Sequence, residues 1–372
     1  MIKQLVNLLC DPYSKERLQL FAFKEEFNSA LNDEEVVDGL LIGINTSSIY
    51  PIINGVPIFL PNSIDSAFVQ LYEKEIGAVK NKVPGLLIAI TEKEEEFSFS
   101  LEWQEHQNKK LTTTWGMKTE ERYEQFFIET QTNEAWCKDK LLLDAGCGNG
   151  LLSEYLTRSG ATVIGFDYST SIFAAHARKM TSHVQFIRGD LQHPPFNEET
   201  FDVIISNGVL HHTPDTYKTF VEVARLVKPN GKFYLWLYRK PDTFFKRYIL
   251  YGWHDTKRFI ISRLPSRIMH LSVALYTLGH VLLNRLKGVN RDLSYHDIFI
   301  MEYDHLTPRW RHYHTPLELC YWFYLNGFSV PILTSWDWDG GFGMLAVKEI
   351  QRETSGINFG KSKDKRNYTF FR

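Results

Sequence analysis

The segment Leu141-Leu142-Leu143-Asp144-Ala145-Gly146-Cys147-Gly148-Asn149-Gly150 constrains this chain more than any other. A short apolar run ends in an acidic residue. Three glycines then turn the chain sharply, and a helical pattern opens at Leu151. Glycines at such a turn let a ligand approach the backbone, which a Cβ would block. The helix start leaves N–H groups facing that ligand. Taken alone, a glycine-rich turn is weak evidence, because dinucleotide enzymes use a related one.

The residues that follow alternate between strand and helix patterns. Strands are expected at 161–166, 184–187, 201–206 and 232–238, with helices over 151–159, 171–180 and 217–227. Thr315 as N-cap and Pro316 open a further helix ending near Asn326-Gly327. Two last strands are expected near 330–334 and 343–349. Alternation of this kind argues for an α/β fold. The expected core is a Rossmann-like, seven-stranded, mostly parallel sheet with helices on both faces. A small N-terminal α+β domain and a helical insertion are added to it. Such a sheet binds its ligand at the carboxyl ends of the strands.

Acidic residues recur at those ends. Asp144 precedes the glycines, Asp167 ends the second strand and Asp190 ends the third. A carboxylate at the second position can accept both hydroxyls of a ribose. The fourth strand runs into Ser206-Asn207-Gly208-Val209-Leu210-His211-His212. In order and spacing these features resemble the class I S-adenosylmethionine-dependent methyltransferases, closely over 141–238 and more loosely over 303–350. The resemblance implies S-adenosyl-L-methionine as cofactor. Gly146, Cys147, Gly148, Asn149 and Gly150 would form the loop around its methionine part, with Asp144 beneath, and Cys147 is expected to pack there rather than react. Asp167 and Tyr168 would meet the ribose side, Asp190 and Leu191 the adenine, and Asn207 and Val209 the sulfonium.

Methyl transfer from a sulfonium needs an in-line nucleophile and little else, unless the acceptor must lose a proton. His211 and His212 are the candidate bases, because histidine titrates near neutral pH. Trp103, His106, Trp115 and Tyr123 precede the core, where relatives place a lid. The stretch Asp304 to Arg309 and His312 to Pro316 concentrates ionisable groups before the last helix. His305, His312 and His314 read there as a substrate-facing loop, and no metal is expected.

The domain expectations are 1–61, 62–140 as a helical linker or lid, 141–239 as the cofactor-binding core, 240–315 as insertion and substrate loop, 316–350 as the end of the core, and 351–372 as a tail. Asn54-Gly55 between apolar runs marks a hairpin. Leu8 to Pro12, Gly39-Leu40-Leu41 and Tyr50 to Pro57 resemble the zinc-ribbon-like family that includes the activator subunit of tRNA and protein methyltransferases. Cys10 remains, but Tyr13, Gly43 and Thr46 stand where other ligands would be. One cysteine cannot make a four-ligand zinc site. Docking or covering the active site is the role expected of this domain.

Within 244–288, Ile268, Leu271, Leu275, Leu278 and Leu282 share a helical face, flanked by Arg258, Arg263, Arg267, Arg285 and Lys287. Two readings stand: a core or lid helix, and a peripheral membrane contact that admits a lipid-like acceptor. The net charge of -2 over 372 residues gives no global pull toward nucleic acid. No run of about 18 apolar residues suggests a spanning helix. Four scattered cysteines suit a reducing compartment, so a cytoplasmic location is expected. O-methylation of a small molecule is the leading function. RNA methylation and a non-catalytic scaffold are the alternatives.

Overall fold

A computed structural model describes residues 1–29, 32–61, 63–91, 113–114, 117–241, 243, 252–289, 294–336 and 340–350. The first strands are β1 (Leu18–Asn28), β2 (Asp33–Gly43), β3 (Ile49–Ile53) and β4 (Val56–Phe59). They form an antiparallel meander. Asn54 and Gly55, both at positive φ, make the β3–β4 turn. Helices α1 (Ser66–Leu71) and α2 (Glu73–Lys82) cover one face of the meander. A two-residue pair, β5 (Thr113–Thr114) and β6 (Met117–Lys118), then leads to α3 (Thr119–Thr130) and α4 (Glu134–Cys137).

The core follows as β7 (Leu141–Ala145), α5 (Leu151–Leu156), β8 (Thr162–Asp167), α6 (Ser171–Arg178), β9 (Val184–Gly189), β10 (Phe201–Asn207), α7 (Thr216–Ala224) and β11 (Val227–Tyr238). The insertion comprises α8 (Gly252–Ile261), α9 (Ser266–Lys287) and α10 (Tyr295–Leu306). Helix α11 (Pro316–Leu325) and strands β12 (Ile332–Trp336) and β13 (Gly341–Val347) complete the fold.

The expected Rossmann-like sheet is present but larger than seven strands. Among the described residues its order is β1-β2-β3-β4-β9-β8-β7-β10-β11-β13-β12, eleven strands. The seven core strands occupy β9 to β12 of that order. The other four join because β4 pairs in parallel with β9, Ile58 opposite Arg188 and Phe59 opposite Gly189. An edge strand offers unpaired N–H and C=O groups, and β4 takes them up. The hydrophobic interior is therefore shared: Met1, Leu5, Leu41, Ile52 and Phe59 pack in one cluster with Ile187, Leu191 and Phe196. Strand β2 is buried on both faces, which explains its unbroken Leu40-Leu41-Ile42 run.

The four positions weighed as zinc ligands do different work. Cys10 is buried in a bridge to Arg17. Tyr13 lies against His193. Gly43 sits over the Glu16 carboxylate, which caps the turn through the backbone of Asn45 and Thr46. Among the described residues, no three His, Cys, Asp or Glu side chains could hold a metal ion.

Helix α9 starts after Pro265 and ends at Gly288 in the left-handed conformation, as its sequence signals ask. Its orientation corrects one expectation. The face of Ile268, Leu271, Leu275, Leu278 and Leu282 is not in a core: all five are exposed. The buried stripe is Met269, Val273, Thr277 and Val281. Met269 and Val273 pack with Phe299 and Tyr303 of α10. The helix is apolar on two sides, and the aromatic surface of α10 takes the narrower one.

Candidate active site

Parallel pairing sets the strand ends level. Asp144 lies opposite Gly165 and Ile205, and Asp167 lies opposite Arg188. The carboxylates therefore emerge along one edge of the sheet. Gly146, Gly148 and Gly150 all have positive φ. At Gly146 a Cβ would enter the Val209 side chain, so the loop and the segment after β10 close on each other. Gly148 N donates to Asp167 Oδ2 at 2.8 Å, which ties the loop to the end of β8.

Asp144 is 6% exposed and accepts from Ser153 Oγ at 2.6 Å. Burial pushes its pKa up to about 6, against the help of Ser153 and the Arg122 charge. The Cys147 thiol is held well above its ordinary value by burial, which fits a packing residue. Asn149 Oδ1 accepts from Leu151 N at 3.2 Å and so starts α5.

The other two carboxylates use only some of their lone pairs on the described residues. Asp167 also accepts from Ser169 N at 2.7 Å, and Asp190 accepts from Gln192 N at 2.8 Å on one oxygen and from Gln192 Nε2 at 3.3 Å on the other. Ionised carboxylates offer about four acceptor sites each. Tyr168 is 41% exposed beside Asp167, and Leu191 is buried beside Asp190. The donor set fits a nucleoside: one carboxylate for a diol, one for an amino group, and an aromatic and an aliphatic side chain for a base. Asn207 and Val209 lie across the glycine loop. With its amide turned so that the oxygen faces Arg122, Asn207 accepts from Arg122 Nε at 3.2 Å. Arg122 is anchored by Glu129 at 2.8 Å. Sequence reasoning passed over Arg122 and named Tyr123, which instead donates to Glu134 at 2.7 Å. A lone basic residue on a helical face carries no signal of its own.

Beyond β10 and β11 lies a cluster of buried polar groups. His211 is fully buried, and neither ring nitrogen has a hydrogen-bond partner among the described residues. Its ring stands 4.1 Å from that of Tyr238 and 4.3 Å from that of His212. Burial and neighbouring cations hold its pKa well below the usual value. His212 is lowered to about 3, mainly by burial. Its Nδ1 lies 2.9 Å from the Trp310 carbonyl and its Nε2 3.9 Å from Asp304. Tyr238 donates to Asp304 at 2.9 Å, and Arg311 lies over the Tyr238 ring at 4.2 Å.

The 307–315 loop is stitched to the strand ends. His312 N donates to the His211 carbonyl and His314 N to the Tyr238 carbonyl, both at 2.9 Å. His305, His312 and His314 thus border this cluster without converging on a common point. Trp103, His106 and Trp115 lie outside the described residues.

Residues 143–235 match the family described as "Methyltransferase domain". The chain is 36% identical over 111 residues to the ubiquinone biosynthesis O-methyltransferase of Coxiella burnetii, covering 29% of this chain and 46% of that protein. It is 34% identical over 96 residues to the protein of the same name from Aliivibrio fischeri, covering 25% and 41%. The chain thus spans under half the length of these curated relatives. Among solved structures, magnesium protoporphyrin IX methyltransferase from Synechocystis aligns over 62% of this chain and 84% of its own, at 20% identity and a TM-score of 0.36. The family match does not reach the first 61 residues, and nothing in it supports their resemblance to the zinc-ribbon-like family.

Proposed function

We propose that this protein, which carries a methyltransferase domain over residues 143–235, methylates an oxygen of a small acceptor with S-adenosylmethionine. The observation that carries the reading is the level row of acceptors at the strand ends, beneath a glycine loop that admits no side chain. The O-methyltransferase names of the curated relatives agree with it.

S-adenosylmethionine, when bound, supplies a methyl group already activated by the sulfonium charge. Asp167 accepts the ribose hydroxyls, and Asp190 the adenine amino group. Asn207 and Val209 form the wall beside the sulfonium. His211 is the candidate base for the acceptor hydroxyl: its low pKa keeps it unprotonated at neutral pH, and neither ring nitrogen has a hydrogen-bond partner among the described residues. Its ring is buried, so an acceptor reaches it only if the covering 307–315 loop shifts. His212 is fixed by the Trp310 carbonyl and packs beside it.

The acceptor is drawn from a lipid surface. Exposed Ile268, Leu271, Leu275, Leu278 and Leu282 on α9 join exposed Trp253, Phe259 and Ile260 on α8. Residues 252–289 carry six Lys or Arg and one Asp, a surplus of five positive charges on a chain of net -2. Apolar side chains flanked by cations suit anionic headgroups. No described helix is long and apolar enough to cross a membrane. The expected result is cosedimentation with phosphatidylglycerol vesicles that salt weakens. No binding to such vesicles, or a salt-stable dimer burying this face, would overturn the lipid reading.

The function is tested by calorimetric titration with S-adenosylhomocysteine. Micromolar binding is expected, weakened about 100-fold in Asp167→Ala by the loss of charged hydrogen bonds worth roughly 1.5–3 kcal/mol each. A folded wild type that binds nothing sinks the assignment.

A further inference from the structure

The chain before β1 crosses the loop that follows β9. Leu9 bridges to Phe196, and Cys10 N donates to the Pro195 carbonyl at 2.9 Å. On the same loop Arg225 donates to the Phe196 carbonyl at 3.1 Å and the Pro194 carbonyl at 3.3 Å. Asp11 then closes a tight turn. Its Oδ1 accepts from Tyr13 N at 2.8 Å and Ser14 N at 2.7 Å, and its Oδ2 accepts from Tyr50 at 2.9 Å.

This turn holds Tyr13 out from the surface. The ring is 64% exposed and lies 4.8 Å from the ring of His193. His193 is tied back to the Asp190 carbonyl through its N–H at 2.9 Å. Tyr13 also lines a cavity of about 220 Å³ with Tyr50, Phe59 and Leu60. The ring therefore stands against the turn that follows Asp190. A large exposed aromatic at that turn is placed to stack on a ligand.

We propose that Tyr13 forms the outer wall of the adenine pocket, closing over the base from the N-terminal meander while Asp190 and Leu191 hold it from the core. The proposal rests on the cofactor reading above. It makes the meander part of the cofactor site, and it assigns a binding role to a residue far from the glycine loop in sequence.

The experiment is titration of wild type, Tyr13→Ala and Tyr13→Phe with S-adenosylhomocysteine and with 5′-methylthioadenosine, which keeps only the nucleoside half. Tyr13→Ala is expected to weaken both by about tenfold, within the range for removing an aromatic partner from a base. Tyr13→Phe keeps the ring and is expected to bind both within about twofold of wild type. Thermal midpoints should not change, since Tyr13 is exposed. If wild type binds and Tyr13→Ala binds equally well, Tyr13 is no wall and the cofactor reading stands. A loss confined to S-adenosylhomocysteine also overturns the proposal, because the base is then not what Tyr13 touches. A wild type that binds neither ligand defeats both readings.

Discussion

Two regions are added to the same α/β core, and they are attached in opposite ways. The N-terminal meander continues the sheet through β4 and β9 and shares its largest hydrophobic cluster. Helices α8 to α10 make a small cluster of their own and leave a broad apolar face uncovered by any described residue. Hydrogen-bonded sheet extension fixes position and suits a wall. A helical layer held by side chains suits a surface that docks and releases. The two additions meet the core at different places: Tyr13 stands on the sheet extension, and the His211 cluster borders the helical layer.

The sharpest break in this comparison is at a buried ion pair. Lys179 Nζ lies 2.5 Å from Glu35, and the Met1 amine lies 3.4 Å from the same carboxylate. Burial pushes the Met1 amine down to about 5, while its cationic neighbours overcome burial and hold Glu35 down to about 2. Lys179→Ala should cost about 3–5 kcal/mol in denaturant unfolding, because Glu35 is left poorly compensated. Lys179→Met with Glu35→Leu should recover most of that loss. A Lys179→Ala cost under about 1 kcal/mol would mean that the meander is not fixed to the core through this pair.

A middle-sized effect is expected from acid. His211 and His212 have folded pKa values far below 6.5, so they stabilise the fold above pH 6.5. The unfolded chain takes up protons below that point and the folded one does not. By pH 5 each should cost on the order of 2 kcal/mol, read as a falling thermal midpoint. Methyl transfer should show no acid limb near pH 6.5. A kcat profile that inflects there would remove His211 as base.

The smallest effect on stability is expected on α9. Leu275→Ser with Leu278→Ser should change unfolding by no more than about 0.5 kcal/mol per site, as exposed positions do. Vesicle affinity should nevertheless fall by several-fold. A large stability loss would show that the face is covered in the folded protein, and the contrast between the regions would vanish.

Much of the core was readable along the chain. The 144–150 loop, Asp167 and Asp190 are local features: a strand end, a glycine turn and a carboxylate within one stretch of sequence. Arg122 and Tyr13 were not readable as site residues. Each reaches the site from a distant element, and a single Arg or Tyr has no period or spacing to mark it. The orientation of α9 was also unreadable, because a helix with two apolar sides does not say which one its neighbour will take.

The sequence by itself determined the strand–helix alternation, the glycine turn with its acidic strand ends, and the capped start of α11. These depend on backbone propensity and spacing within a few residues. Only the tertiary structure decided that the meander would join the edge of β9, that α10 would bury Met269 and Val273 rather than the leucines, and that the His211 ring nitrogens would find no hydrogen-bond partner among the described residues. Those outcomes depend on which surfaces compete for the same burial, and that competition is settled between segments far apart in the chain.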